Sequence, residues 1–252
     1  MRRQVILPVV DAAIDALDEA SRNTVGLLWS VRAQNELKTS SVFASLYREL
    51  MAFGAPLAVL EMCAQAVSDE VRHAILCADV AARYGGPRAP LQAVAPAEAP
   101  SFSVCSAQVS RALFAALHSA INETLATSYL AACLEQARTE TVSTALRHII
   151  EDEVRHARIG WAVLASDKLS DADRRVISNT LPSLMEICVS AWLAETAYDV
   201  EHAIVPGQGS LCQTELHTLV EDALGNVVIP GLSHVRLDPA PTQAWFARWP
   251  RT

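Results

Sequence analysis

The chain has 252 residues, a mass of 27.2 kDa and a hydrophobic fraction of 51%, enough for one large domain with a sizeable interior. Its 20 basic and 28 acidic residues leave a formal charge of -8, so composition gives no general electrostatic case for binding DNA, RNA or an anionic membrane. The opening MRRQVILPVVDAAIDALDEA has a basic start and a short apolar run. Asp11, Asp15, Asp18 and Glu19 interrupt it before a signal-peptide core can form, and no uncharged apolar stretch reaches the length of a membrane span. The expectation is a cytoplasmic protein.

Helical patterns dominate. The first runs from about Asn23 to Phe53, and Gly54-Ala55-Pro56 supplies a break followed by a residue suited to a helix start. The second runs from about Pro56 to Arg83 and stops at Gly85-Gly86-Pro87. The stretch GGPRAPLQAVAPAEAPSFSVCSA carries four prolines and little periodicity, so it reads as a connection. Helicity resumes from about Ser106 to Ala137 and, after a short RTE turn, from about Thr141 to Ala165. The order short turn, long connection, short turn is the wiring of a four-helix bundle with one long crossover.

A fifth helix is expected from a cap at Ser170 to about Ile204, with Pro182 starting or kinking part of it. A sixth is expected over Leu211 to Leu224. The Pro-rich end carries Trp245, Phe246 and Trp249, rings suited to pinning the tail onto the bundle or onto a second subunit of a homodimer. The expected organisation is a bundle over 1–169 with an N-terminal extension, and a helical extension over 170–252 packed on it as one domain. Six widely spaced cysteines, Cys63, Cys77, Cys105, Cys133, Cys188 and Cys212, form no C-x-x-C pair and read as free thiols of a reducing compartment, most of them buried.

The hexapeptide DEVRHA occurs at Asp69–Ala74 and again at Asp152–Ala157. In each copy Glu and His are three apart, Glu70 with His73 and Glu153 with His156, so both side chains share one helical face. That face is otherwise small or apolar: Leu60, Cys63, Val67, Ala74, Cys77 and Ala81 around the first pair, and Leu146, Ile149, Gly160 and Val163 around the second. An isolated E-x-x-H is more often a salt-bridged surface pair. Carboxylates that point into a core need a partner, because desolvation costs several kcal/mol per charge, and a metal ion is such a partner.

Two further glutamates decide between these readings. Glu36 lies in the seam Trp29, Phe43, Leu50, and Glu123 in Ala116, Ala120, Leu130. Antiparallel helices fold about their turn, so partners at one level are equidistant from it. Glu36 and Glu70 are centred on Phe53, beside the Gly54 break, and Glu123 and Glu153 on Arg138, in the second turn. All four helices therefore meet at one level. By the same test Glu49 belongs to the surface and Glu61 to a salt bridge or distant pocket. His118 and His148 lie well round the helix from the ligand face and read as structural, while nothing places His202 or His217 near the centre.

Glu, E-x-x-H, Glu, E-x-x-H over about Asn23 to Ala165 resembles the ferritin-like superfamily of non-haem di-iron and di-manganese carboxylate proteins. The resemblance implies that Glu36, Glu70, His73, Glu123, Glu153 and His156 hold two ions, Fe/Fe, Fe/Mn or Mn/Mn. Asp69 and Asp152 would accept the free ring N–H of a histidine on a neighbouring helix, with Arg72 and Arg155 paired to them. It further implies O2 activation by two reduced ions, with glutamates shifting between terminal and bridging modes, and an external electron donor, since no flavin or nicotinamide fingerprint is present.

The long segment after the fourth helix suits roofing a pocket or forming a dimer, which favours an oxygenase or oxidase of a small organic substrate, of the kind used in specialised metabolism. The alternatives are a ferritin-like ferroxidase and a non-enzymatic metal-stabilised scaffold. Similar arylamine N-oxygenases carry a histidine four residues before the fourth-helix glutamate, where this chain has Ile149. The acidic balance weighs against a similarity in function to the tRNA hydroxylases.

Overall fold

The computed structural model describes residues 5–85, 91–99, 102, 106–195 and 204–249, and among them every regular element is a helix. A short α1 (Ala12–Asp15) precedes α2 (Glu19–Phe53) and α3 (Leu57–Arg83). After the crossover, α4 (Ala107–Ala115) runs through a π-helical turn (Ala116–Ile121) into α5 (Asn122–Gln136), followed by α6 (Glu140–Leu164). Beyond the bundle come α7 (Asp171–Glu195), α8 (Gln213–Ala223), a second π turn (Leu224–Val228), α9 (Ile229–His234) and α10 (Ala240–Phe246).

Local chemistry fixes the ends of the bundle helices. Asp18 Oδ1 accepts from the Ser21 amide at 2.7 Å and starts α2 earlier than the apolar periodicity indicates. Gly54 ends it in the left-handed region at φ 74°, and the Ala55 amide closes back on Leu50 O at 3.0 Å. Ser106 and Thr139 cap α4 and α6 through the amides of Val109 and Val142. Each cap satisfies an amide that a helix start would otherwise leave without a partner.

Helix α2 packs on α3, α3 on α6, and α6 on the π turn and α5. Trp29, Phe43, Leu46, Leu50, Leu113, Leu125, Leu146 and Ile159 are among the fully buried side chains. The crossover lies along α2, where Gln34, Ser41 and Ser45 hydrogen-bond the backbone of Gln92, Ala95 and Ala97. These three polar residues sit at helical spacing and add to the apolar packing of Leu91, Ala99 and Phe102 on the core. Helix α2 also touches α4, whereas between α2 and α5 the bundle opens into a cavity.

One helix differs from expectation. The sixth helix continues past Leu224 through the π turn into α9, whose second residue is Pro230. The fifth ends at Glu195 among the described residues. The rest of its expected span, residues 196–203, lies outside them, as do Cys105, His202 and most of the crossover prolines. Helix α7 is long and apolar enough to cross a membrane, with Glu186 interrupting its apolar run. It buries Ile177, Leu181, Leu184, Met185, Cys188 and Val189 in the core shared with the bundle. Pro182 lies inside it.

The extension is tied down at several points. The buried Arg174 guanidinium donates to Leu164 O, Val235 O and Ser166 O at 2.6–2.8 Å, joining the ends of α6, α7 and α9. Trp245 Nε1 donates to Glu186 at 2.6 Å, and Trp249 stacks on His217 at 4.7 Å. The tail rings thus pack on α7 and α8 of their own chain. Cys63, Cys77, Cys133 and Cys188 are buried free thiols, and Cys212 is free and partly exposed.

Candidate metal centre

The DEVRHA blocks place Glu70 and His73 on α3 and Glu153 and His156 on α6, facing each other across the bundle. Glu123 of α5 joins them, and all five are at most 2% exposed. Glu36 of α2 is the least enclosed, with its side chain 14% exposed. The ligand atoms fall into two groups, Glu36, Glu70, His73 and Glu153 on one side and Glu123, Glu153 and His156 on the other, each within 4.8 Å. Glu153 belongs to both. Glu70 also spans the two, with Oε2 3.8 Å from His73 Nδ1 and Oε1 2.9 Å from His156 Nδ1.

Both histidines turn Nδ1 toward these carboxylates and Nε2 away from them. His73 Nδ1 lies 3.1 Å from Glu153 Oε1, yet it makes no hydrogen bond, and neither do both oxygens of Glu70 nor Oε1 of Glu123, although all are buried. Unpaired buried polar atoms cost about 1–3 kcal/mol each. Here they come from α3 and α5 and lie among the carboxylates of α2 and α6, as ligand atoms do. Four carboxylates, shared in part, and two imidazoles fit two first-row divalent ions, since the four negative charges match two dications.

The electrostatics without metal show the same imbalance. Burial pushes Glu36 up to about 8, aided by the Glu70 charge and opposed by His73. Burial, then the Glu153 and Glu70 charges, raise Glu123 well above the carboxylate range. Burial would also raise Glu153, but the imidazoles of His156 and His73 outweigh it and hold this group below the ordinary range. For His73 and His156 burial favours the neutral form, and the surrounding carboxylates overcome it, raising both well above the usual value. Protons hold the charge balance where two cations could.

Outside this set, the remaining residues of the repeat cross between helices. His73 Nε2 lies 3.2 Å from Asp152 Oδ2, and His156 Nε2 lies 3.6 Å from Asp69 Oδ2. Each aspartate therefore faces the histidine of the other copy. Arg72 pairs with Asp69 in its own helix and with Asp152 at 2.8 Å, while Arg155 pairs with Asp152. Burial would raise Asp69, but contacts with His156, Gln65 and Arg72 outweigh it and keep the carboxyl low.

Other sequence candidates lie elsewhere. Glu49 pairs with Arg111 at 3.2 Å, and Glu61 is exposed. His118 packs edge-on to Phe114, with its pKa lowered to about 4 by burial. His148 is exposed rather than a satisfied interior histidine, because it falls on the outer face of α6.

Two features of the site were missed from sequence. The first is the π turn just before Glu123. Ser119 in that turn accepts from the Gly160 amide at 2.7 Å and donates to His156 O, locking α6 to it. A Cβ on Gly160 would stand 2.3 Å from Ala120 N and 2.5 Å from Ala115 O, so only glycine permits this approach. The second is a cavity of about 380 Å³ between α2 and α5, whose lining includes Glu36, Glu70, Glu123 and Glu153. Leu28, Trp29, Tyr129 and Leu130 form apolar wall, and the extension contributes Trp192 and the Gln208–Ser210 strand of loop. No protein-family model, curated protein or solved structure matches the chain.

Proposed function

We propose that the chain is a di-metal carboxylate oxygenase or oxidase of the ferritin-like type, acting on a small organic substrate with O2. The supporting observation is the cavity that ends on four glutamates of the metal centre. Its volume is that of a small-molecule site, and iron oxidation alone needs no such room. Glu36 and His73 would serve one ion, Glu123 and His156 the other, with Glu70 and Glu153 shared. Iron is the preferred metal, and manganese suits the same donors.

When bound, a redox-active pair would supply O2 activation, passing electrons to O2 so that the substrate can be oxidised. The protein's part is to hold and shield. Asp152 accepts the Nε2–H of His73 at 3.2 Å, and Asp69 faces His156 Nε2 at 3.6 Å as its nearby charge, an arrangement that turns each Nδ1 toward the ions and orients the ring. Leu28, Leu130 and Trp192 give the space above the centre an apolar wall. Trp192 is itself held by a 3.0 Å hydrogen bond from Nε1 to Asn122 Oδ1, next to Glu123. Electrons would come from a separate protein or small reductant.

Anaerobic Fe(II) titration of the full chain, with metal analysis of Glu70→Ala and Glu153→Ala, tests this reading. Two ions per chain are expected for the native protein, with loss from both sites in either variant because each carboxylate is shared. An O2-dependent absorbance change should follow Fe(II) loading. Metal binding that survived both substitutions would sink the ligand assignment, and accumulation of ferric iron far beyond two ions per chain would favour a ferroxidase.

A further inference from the structure

Resting on the oxidase reading above, we infer that the substrate carries a carboxylate, which Arg32 anchors one helical turn from the metal centre. Arg32 lines the cavity on α2. Its guanidinium stacks over Trp29 at 4.5 Å and approaches the Tyr129 ring at 5.6 Å. Nη2 donates to Gly209 O at 2.6 Å and to Tyr129 Oη at 3.3 Å. Nη1 is buried and has no hydrogen-bond partner, and among the described residues Arg32 has no ion-pair partner. A fixed, aromatic-flanked guanidinium with a spare donor is what planar, charge-assisted recognition of a carboxylate uses.

Charge balance along the cavity points the same way. The lining carboxylates are Glu36, Glu70, Glu123 and Glu153, all assigned to the ions, and the lining cations are Arg32 and the exposed Lys38. With two dications neutralising the four glutamates, the cavity is left with positive charge and no resident anion. Arg32 precedes Glu36 by four residues on one helical face, about 6 Å along the axis. A carboxylate seated on Arg32 therefore directs the rest of a short acid along the cavity toward Glu36 and the centre.

Binding of 4-phenylbutanoate and of 4-phenylbutanamide, two ligands of matched shape, tests the assignment. The full chain is titrated metal-free and Zn(II)-loaded, with tryptophan fluorescence reporting through Trp29 and Trp192 and calorimetry as a check. The acid should bind about 10- to 100-fold more tightly than the amide, the range of a charge-assisted contact. Arg32→Gln should abolish that preference while leaving amide binding and two-ion stoichiometry unchanged, and Arg32→Lys should keep part of it.

Equal binding of acid and amide to the native chain overturns the inference without any variant. So does an acid preference that survives Arg32→Gln in the Zn(II)-loaded protein and vanishes without metal, since the carboxylate then binds the ions. Failure of the metal reading is separate: an Arg32-dependent acid preference in a chain that binds no metal pair keeps the anchor and removes the oxidase.

Discussion

Asp152→Asn separates the two ions. The native carboxylate faces His73 Nε2 at 3.2 Å and also holds Arg72 and Arg155. Asn keeps the volume and removes the charge, so the histidine contact weakens and its tautomer is no longer fixed. The two arginine side chains are 34% and 39% exposed, and solvent screening leaves such pairs worth under about 1 kcal/mol each. The buried histidine contact dominates, and loss of a residue that orients a ligand typically costs about 10- to 100-fold in metal affinity. That is about 1.4–2.7 kcal/mol, and it should fall on the ion served by His73. The ion served by His156 keeps its own aspartate, Asp69, and should change little. Chelator competition with Co(II), following its visible bands, resolves the two sites, and Asp69→Asn should give the opposite asymmetry. Equal weakening of both ions by Asp152→Asn, or none, would refute the crossed pairing of aspartates and histidines.

Gly160→Ala should destabilise the chain by about 3 kcal/mol, the upper end for overpacking, because the atoms met are backbone, Ala120 N in the π turn and Ala115 O at the end of α4, and cannot rotate away. Urea unfolding measures it, and a loss within 0.5 kcal/mol, a change expected of ordinary surface positions at about that size, would contradict the close contact. The metal-free protein should lose stability from about pH 5 to 8. Glu36 is raised to about 8 and Glu123 in the same direction, so ionising them above the usual carboxylate range destabilises the fold. His73 and His156 are also raised, and their contribution, full below the usual imidazole value, is lost as pH climbs through the folded one. Metal loading should reverse the trend, widening the loaded-minus-free Tm difference toward pH 8. Calorimetry in buffers of different ionisation heat should then find about two protons released per ion near pH 7, from those four groups.

How much of this was legible depends on whether the determinant was local. The E-x-x-H pairs and their distances to Gly54 and Arg138 express helical period and antiparallel folding, so the level at which four helices meet could be read directly. The caps at Ser106 and Thr139 and the αL glycine at position 54 obey equally local rules. The π turn is different, because Ala116–Ile121 has ordinary helical composition and is fixed by Ser119 and Gly160 from another helix. Gly231 likewise sits inside a helix because it gives room to Trp161, 2.9 Å from its would-be Cβ, a contact set by a distant residue. Arg32 offered a signal that went unread. It is a cation one turn before a ligand glutamate on the same face, with no acid placed to neutralise it except that ligand.

The extension shapes the cavity as well as covering the bundle. Gly209 adopts φ 93°, and a Cβ there would lie 2.7 Å from the Trp29 ring, so the loop after α7 presses its backbone onto α2. From that position Gln208 O accepts the Trp29 indole N–H at 2.9 Å, and Gly209 O accepts from Arg32. The same short segment therefore fixes the ring under the guanidinium and the guanidinium itself. Gly207, at φ 78°, anchors the loop's other side, where its carbonyl accepts the Arg138 amide at 2.9 Å in the turn that sets Glu123 against Glu153. One loop of the extension thus contacts both the proposed substrate anchor and the turn that aligns two metal ligands. A bundle that only stored iron would need neither contact, whereas a catalyst must hold substrate and centre in fixed relation, since misplacement by about 1 Å can cost 100-fold in rate.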